Sequence, residues 1–141
     1  MVNNYFTDKQ NGKEIIKTRD LLAANFINCI FDGNNNIEFV LDKINGSLFN
    51  YKITHCMIKF TDSNNNYTNN LEMKFDDATH YTNPFINKTP NFRDTSLNDF
   101  IIGQNSDAIG NATPTSISFD ILGVDRSNLP DIGAYQHITF N

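Results

Sequence analysis

The chain has 141 residues, of which 39% are hydrophobic, so it is long enough for one domain with a buried core. Its formal net charge is −5 and its 11 basic residues are scattered, which excludes the basic patch of a nucleic-acid-binding protein. No apolar run is long enough to span a bilayer, and the N-terminal residues do not form a signal peptide.

Asparagine is over-represented, with 23 of the 141 residues. Because Asn is a poor helix former and tolerates turn and left-handed conformations, this abundance predicts many turns and little helix. The segment Thr18–Phe26 is compatible with either a short helix or the entry to a strand.

The first half of the chain contains an internal repeat. The hexapeptide FINCIF (26–31) aligns with ITHCMI (53–58), which places Cys29 on Cys56. An Asn triplet follows each hexapeptide, and apolar and polar residues then alternate from Ile37 to Asp42 and from Leu71 to Asp76. A period of two predicts strands with one buried face.

The repeating unit is therefore strand, Asn-rich turn, strand and loop, recurring after about 27 to 34 residues. Such a repeat favours a β-solenoid, in which stacked coils bury a continuous core and align identical residue types. Stacked Asn side chains would hydrogen-bond one another as a ladder. An antiparallel sandwich with two similar hairpins explains the same spacing and remains open on this evidence.

The cysteine pair has two interpretations. Cys29 and Cys56 lack the spacing of a zinc site. If they stack on adjacent coils, their Cα atoms are about 5 Å apart, within the range of a disulfide. Two small buried thiols explain the same alignment.

Short motifs extend from the repeat to the C-terminus: Asn28–Ile30, Asn83–Phe85, Pro90–Phe92, Asp99–Gly110, Asp120–Arg126 and Pro130–Tyr135. In this order they resemble the C-terminal ends of secreted bacterial right-handed parallel β-helix proteins of the pectin-lyase-like superfamily, which close with a PDIGAYE-like sequence. The chain departs from that pattern at Asp107, where Pro is usual, and at Gln136, where Glu is usual.

The resemblance implies an all-β chain: a right-handed parallel β-helix (solenoid) fragment of a few coils with a C-terminal capping tail. Residues 1–24 are then an N-terminal lead-in or incomplete first coil, residues 25–112 the coils and turn segment, and residues 113–141 the closing tail. It also implies an extracellular or cell-surface parent protein whose signal peptide lies upstream. An open coil edge would favour end-to-end self-association unless residues 1–20 cover it.

The tail sequence is expected to be structural. Pro presets φ, Gly permits positive φ and Asp caps nearby N–H groups, so a catalytic role for Asp131 is not expected. With the cysteines, the residues assigned a structural role are Cys29, Cys56, Pro130, Asp131, Gly133 and Tyr135.

Four residues are weak candidates for chemistry: Asp76, Asp77, Asp125 and Arg126. The resemblance suggests them, since polysaccharide lyases of this superfamily use carboxylates for Ca²⁺ and a Lys or Arg as base. Ca²⁺ needs roughly six to eight oxygen ligands, and no dense acidic cluster offers them. No catalytic residue or metal site is therefore assigned, and the only cofactor left open is Ca²⁺.

Three functional classes remain. The first is a non-catalytic C-terminal structural segment of a secreted or surface β-helix protein that handles polysaccharide. The second is a polysaccharide lyase or hydrolase with part of its site in this chain. The third is an adhesin-like binding module, for which sugar-stacking aromatic side chains would be Tyr5, Tyr51, Tyr67 and Tyr81.

Overall fold

The computed structural model describes residues 1–140 and is built almost entirely of short strands and turns. The strands are β1 (Val2–Asn3), β2 (Tyr5–Gln10), β3 (Lys13–Thr18), β4 (Leu21–Ile27), β5 (Ile30–Phe31), β6 (Leu41–Asp42), β7 (Phe49–Thr54), β8 (Met57–Ile58), β9 (Tyr81–Thr82), β10 (Phe85–Ile86), β11 (Phe92–Asp94) and β12 (Asp99–Ile102). Two single-turn 3-10 helices lie at Leu71–Met73 and Thr95–Leu97. The fold is therefore all-β, as predicted.

The repeated segments pair in parallel. One ladder has the order β4-β7-β9 and a second has the order β5-β8-β10. In the second ladder Ile30 pairs with Met57, which pairs with Phe85. Cys29 and Cys56, 27 positions apart, are therefore neighbours, as the sequence alignment predicts. The parallel pairing does not fit the antiparallel sandwich.

In every repeat, the turn between the β4-β7-β9 ladder and the β5-β8-β10 ladder contains one residue with a left-handed backbone conformation. The turns between β4 and β5, β7 and β8, and β9 and β10 contain Asn28, His55 and Asn83, with φ of 55°, 49° and 46°. Asn tolerates this region better than most non-glycine residues. We call these three residues the turn column. β1 and β6 form a third parallel pair. In the sequence β6 follows β5 within the first repeat, whereas β1 lies before β4.

The core has two layers that share the β5-β8-β10 ladder. Alternate residues of this ladder, represented by Ile58, pack into a cluster with Phe39, Leu41, Ile53 and other residues of the repeats. The intervening residues, represented by Met57, face a second cluster formed with the C-terminal segment. The members of that second cluster are Met57, Ile102, Ala108, Ala112 and Ile132, with Ile30, Phe85 and Phe92 at its margin.

Residues 1–20 contain an antiparallel hairpin that the sequence analysis missed. β2 and β3 pair from Tyr5–Thr18 to Gln10–Lys13 across a two-residue turn. Asn11 and Gly12 both have positive φ, as a type I′ turn requires. The hairpin forms its own sheet and does not pair with β4, so β4 and β5 remain edge strands.

Two local predictions are wrong. The segment beginning at Leu71 is not a strand: Leu71–Met73 forms a 3-10 turn that the Asn70 side chain caps by accepting from the Glu72 N–H. Leu71 is 71% exposed rather than buried. The other alternating segment pairs in parallel only at Leu41–Asp42. Thr18–Phe26, left open between helix and strand, supplies most of β4.

Candidate functional site

The C-terminal tail runs beside the turn column. The Asn28 side chain donates from Nδ2 to the Thr113 carbonyl at 2.8 Å, and its Oδ1 accepts from the Thr113 N–H at 2.9 Å. This side chain therefore imitates the two hydrogen bonds of a neighbouring strand. Asn87 makes the same pair of bonds to Phe60, at 2.9 and 2.8 Å. These two Asn side chains thus bond the backbone. In the two triplets it is the backbone N–H groups of Asn35 and Asn66 that donate, to Glu38 and Asp62, so the described residues give no support to the predicted side-chain ladder.

His55 continues this contact one coil further along the column. Its Nδ1 lies 2.7 Å from the Asn111 carbonyl, and its Nε2 lies 3.0 Å from Nδ2 of Asn83. A carbonyl only accepts and an amide nitrogen only donates, so in this network Nδ1 donates to Asn111 and Nε2 accepts from Asn83. His55 therefore links two coils to the tail.

Asp131 is the anchor of the tail and is completely buried. Its Oδ1 accepts from the Gly110 N–H at 2.8 Å, and its Oδ2 accepts from the His137 N–H at 2.7 Å. The same Oδ2 lies 2.8 Å from Nδ1 of His137. Each carboxylate oxygen is thus used in holding backbone segments together, which leaves no accessible base.

The residues next to Asp131 also hold the tail against neighbouring segments of the backbone. The carbonyl of Pro130 accepts from the Ala112 N–H at 3.1 Å, and the Gly133 N–H donates to the Asn28 carbonyl at 2.9 Å. Gly133 has φ of 108°, and a Cβ there would lie 2.9 Å from Cδ1 of Ile30. A side chain at this position is therefore strained by the left-handed backbone conformation, and the terminal methyl of Ile30 would have to move aside.

Asp120 is a second buried anchor, which the sequence analysis did not single out. Its Oδ1 accepts from Leu122 and Val124 at 2.8 Å, and its Oδ2 accepts from Gln136 at 2.9 Å, all from backbone N–H groups. Burial alone would raise the pKa of Asp120, but these hydrogen bonds and the charge of Arg126 bring that pKa below its ordinary value. The turn signature Asp-x-x-Gly that begins at Asp120 was the available signal.

Arg126 acts on the backbone rather than on a substrate. Its guanidinium donates to the carbonyls of Asp131 and Gly133, the latter at 3.0 Å. Asp125 is exposed and accepts from the Ser127 N–H at 2.8 Å. The hydrogen bond from the Ser127 side chain, together with this backbone contact, lowers the pKa of the Asp125 carboxyl. These two candidates therefore belong to the tail turn.

Asp76 and Asp77 lie near the third repeat. Asp76 is exposed. Asp77 is bonded to Nδ1 of His80 at 3.0 Å, and this bond is the main reason that the pKa of Asp77 is lowered. The His80 ring stacks on Tyr51 with centroids 4.2 Å apart. Asp77 and His80 therefore form an acid–imidazole pair packed on the edge of the core.

The tyrosines proposed for sugar stacking are committed to other contacts. Tyr51 and Tyr81 are buried, and burial raises the pKa of Tyr51 to about 12. Tyr67 packs against Phe60 at 5.8 Å, and the Tyr5 hydroxyl donates to Asp42 at 2.5 Å. A different set of aromatic residues, Phe92, Phe100 and Tyr135, lines an open cleft.

A cleft of about 460 Å³ lies between β5, the β11-β12 hairpin and the tail. Its walls include Phe92 and Phe100, whose rings meet edge to face at 5.3 Å, and Tyr135. The exposed carboxylate of Asp32 and the half-buried Cys29 complete one side. Aromatic faces with a carboxylate at the rim suit a ligand that has both apolar faces and hydroxyl or amino groups.

The tail also exposes an unusual apolar surface. Residues 117–129 include a turn closed by the Phe119–Asp125 bridge, and a second cleft separates this turn from Ile27 and Asn28. The exposed large side chains of this segment are Ile117, Phe119, Ile121, Leu122, Val124 and Leu129, each at least 45% exposed. Contiguous exposed apolar surface of this kind usually marks a contact with another structure.

Within residues 1–140, no group of three or more His, Cys, Asp or Glu side chains is placed to hold a metal ion. The same residues form no helix with the length and apolar character of a bilayer span. Comparison with protein-family models, curated proteins and solved structures finds no match to this chain.

Proposed function

We propose that this chain is a segment of a right-handed parallel β-helix and that its function is structural, namely to fasten the C-terminal end of that helix. The parallel ladders and their left-handed corner residues support this architecture. Right-handed crossovers are the rule for parallel strands of one sheet. The pairing of β1 with β6 supports a third face, because it extends the same parallel stacking to another part of the repeat.

One observation carries the structural function: the tail is bonded across the turn column and locked by a fully buried acid. Asn28 and His55 hold the tail at successive coils, and Asp131 holds it from the other side. A catalytic or ligand-binding acid would need an unoccupied oxygen that solvent or substrate can reach. Asp131 offers none, so the tail is a fastening device.

The unpaired edge of the stack supports a larger assembly. β4 and β5 have no partner on one side, and Phe26, Cys29 and Phe31 are only partly buried although they face the core. The apolar side chains of residues 117–129 lie beside the same coil. A further coil stacked on this edge would cover both surfaces. The resemblance described above suggests that the assembly is an extracellular or surface protein that handles polysaccharide.

The decisive experiment adds a coil. A copy of residues 21–48 inserted before Leu21 should stack on the free edge of β4 and β5, place its third strand between β1 and β6, and enlarge the cooperative unit. We expect the urea m-value to rise by roughly a fifth, because m follows the surface exposed on unfolding. A flexible Gly/Ser insert of equal length is the control and should leave m unchanged. An unchanged m-value for the duplicated coil would refute the solenoid architecture.

The aromatic cleft favours a second function, a surface module that binds carbohydrate without cleaving it. Sugar rings stack their apolar faces on rings such as Phe100, and Asp32 at the rim can accept from hydroxyls. Titration with neutral and acidic oligosaccharides, followed by NMR shifts, tests this function. Shifts confined to the cleft and lost in Phe100→Ala support binding, whereas release of shortened or unsaturated sugars would favour a lyase or hydrolase.

A further inference from the structure

The structure assigns a thiol–disulfide exchange site to Cys29 and Cys56: Cys29 is the attacking thiol, Cys56 is the resolving thiol, and the co-substrate is a small organic disulfide. The inference rests on the geometry and exposure of the two thiols, and it applies to the chain with the edge of β5 uncovered, since a further coil on that edge would bury Cys29.

Each cysteine directly precedes a strand of the same parallel ladder, Cys29 before β5 and Cys56 before β8. Their neighbours Ile30 and Met57 are paired in register, so the Cα atoms of the cysteines are separated by about one strand spacing, roughly 4.8 Å. A disulfide accepts Cα separations of roughly 4.4 to 6.8 Å. The Cys56 sulfur already points toward its neighbour, since it accepts from the Cys29 N–H at 3.4 Å.

The environments of the two thiols differ in the way that exchange chemistry requires. Cys56 is completely buried, whereas Cys29 lies in the turn before the edge strand β5, is partly exposed and lines the cleft of about 460 Å³. A small disulfide can therefore reach Cys29 without unfolding of the core. A hydrogen bond with Cys56 lowers the pKa of Cys29 to about 7, against the effect of burial, and the same contact raises the pKa of Cys56. Near neutral pH, Cys29 thus has much more thiolate than an ordinary cysteine.

The reaction proceeds in two balanced steps. The Cys29 thiolate attacks one sulfur of the reagent RSSR, the S–S bond breaks, and RS⁻ leaves a mixed disulfide on Cys29. The Cys56 thiol then attacks Sγ of Cys29, the S–S bond of the mixed disulfide breaks, and the second RS⁻ leaves and takes up the proton of Cys56. Two thiols are oxidised to one disulfide, and RSSR is reduced to two equivalents of RSH after the leaving thiolates take up the two protons. The product joins adjacent coils covalently.

The test uses the full chain, oxidised glutathione and intact-mass spectrometry under native conditions. We expect the wild type to lose the mass of two hydrogen atoms, to remain free of intermolecular disulfides, and to regain its thiols with dithiothreitol. Cys56→Ser should stop at the glutathione adduct on Cys29. Cys29→Ser should react at least about 100-fold more slowly, because its remaining thiol is buried.

Thermal unfolding gives a second readout. A disulfide between Cys29 and Cys56 closes a loop of 27 positions. It should raise Tm of the oxidised protein by up to about 10 °C over the reduced protein, and neither serine variant should show this increase in Tm. Circular dichroism of both serine variants before oxidation verifies that they are folded. A wild-type glutathione adduct that persists, a disulfide-linked dimer as the main product, or equal reaction rates for the two serine variants would overturn the assignment.

Discussion

The buried carboxylate of Asp131 lies 2.8 Å from Nδ1 of His137 and also accepts the His137 backbone N–H at 2.7 Å. Its other oxygen accepts from Gly110, 21 positions earlier. One side chain therefore joins the end of the tail to the segment that crosses the turn column. This relationship explains why the tail lies flat on the β5-β8-β10 ladder instead of extending into solvent.

Replacing Asp131 with Asn should destabilise the protein strongly. An amide has only one acceptor oxygen, so at least one buried N–H group loses its partner, and we expect the free energy of unfolding to fall by about 2–4 kcal/mol. Urea unfolding measures the change. Asp76→Asn, at an exposed position, is the matched control and should stay within about 0.5 kcal/mol of the wild type. Equal values for the two variants would refute the role of Asp131.

Asp120 should make the tail sensitive to acid. Its folded-state pKa lies below its ordinary value of 3.8, so the carboxylate stabilises the folded state. This stabilisation is full above about pH 5 and is lost as the pH falls through the lowered folded-state pKa. The difference in unfolding free energy between the wild type and Asp120→Asn should therefore shrink as the pH falls from 5 toward 2. A difference that stays constant or grows over this range would contradict the assignment.

Asn28 should stabilise the folded protein in two separate ways, through the hydrogen bonds of its side chain and through its left-handed backbone conformation. Asn28→Gly keeps the left-handed conformation but loses both bonds to Thr113, which should cost roughly 1–2 kcal/mol. Asn28→Ala also forces a residue with a Cβ into that conformation and should cost about 1 kcal/mol more. Asn25→Ala, at an exposed position of the preceding strand β4, is the control. If Ala were better tolerated than Gly at position 28, the left-handed turn would be in doubt.

The free edge of β4 and β5 should promote self-association. Residues 1–20 form a separate hairpin and leave these two strands unpaired on one side. Sedimentation velocity over a concentration series should show a reversible dimer that forms edge to edge. Ile27→Lys, a charge at a 49% exposed position of β4, should weaken it. A single monomeric species at the highest soluble concentration would contradict this prediction.

The sequence predicted the register of the repeats because stacking places like residues beside one another. Cys29 beside Cys56 follows directly from that alignment, whereas the left-handed conformation of Asn28 and His55 was not predicted from it. The predicted strand at Leu71 failed for a local reason. Apolar side chains at Met73 and Phe75 also point inward from an irregular turn, so alternation alone did not specify a strand.

The tail contacts could be predicted only in part. The Pro-Asp-Ile-Gly sequence indicated a structural junction, and the Asn11-Gly12 pair was an unused signal for the N-terminal hairpin. By contrast, the bonds from Asn28 to Thr113 span 85 positions. Nothing in local propensity links such distant residues, because their contact depends on how the whole tail folds back over the coils.

The central claim is that the repeats stack in parallel and that the tail is bonded along their turns. Nuclear Overhauser measurements on the labelled chain test both parts at once. The account predicts backbone contacts between Ile30 and Met57 and between Met57 and Phe85, together with contacts between Asn28 and Thr113. Close Hα–Hα contacts between the same strands, the signature of antiparallel pairing, with a tail that shows no contact to Asn28, would contradict it.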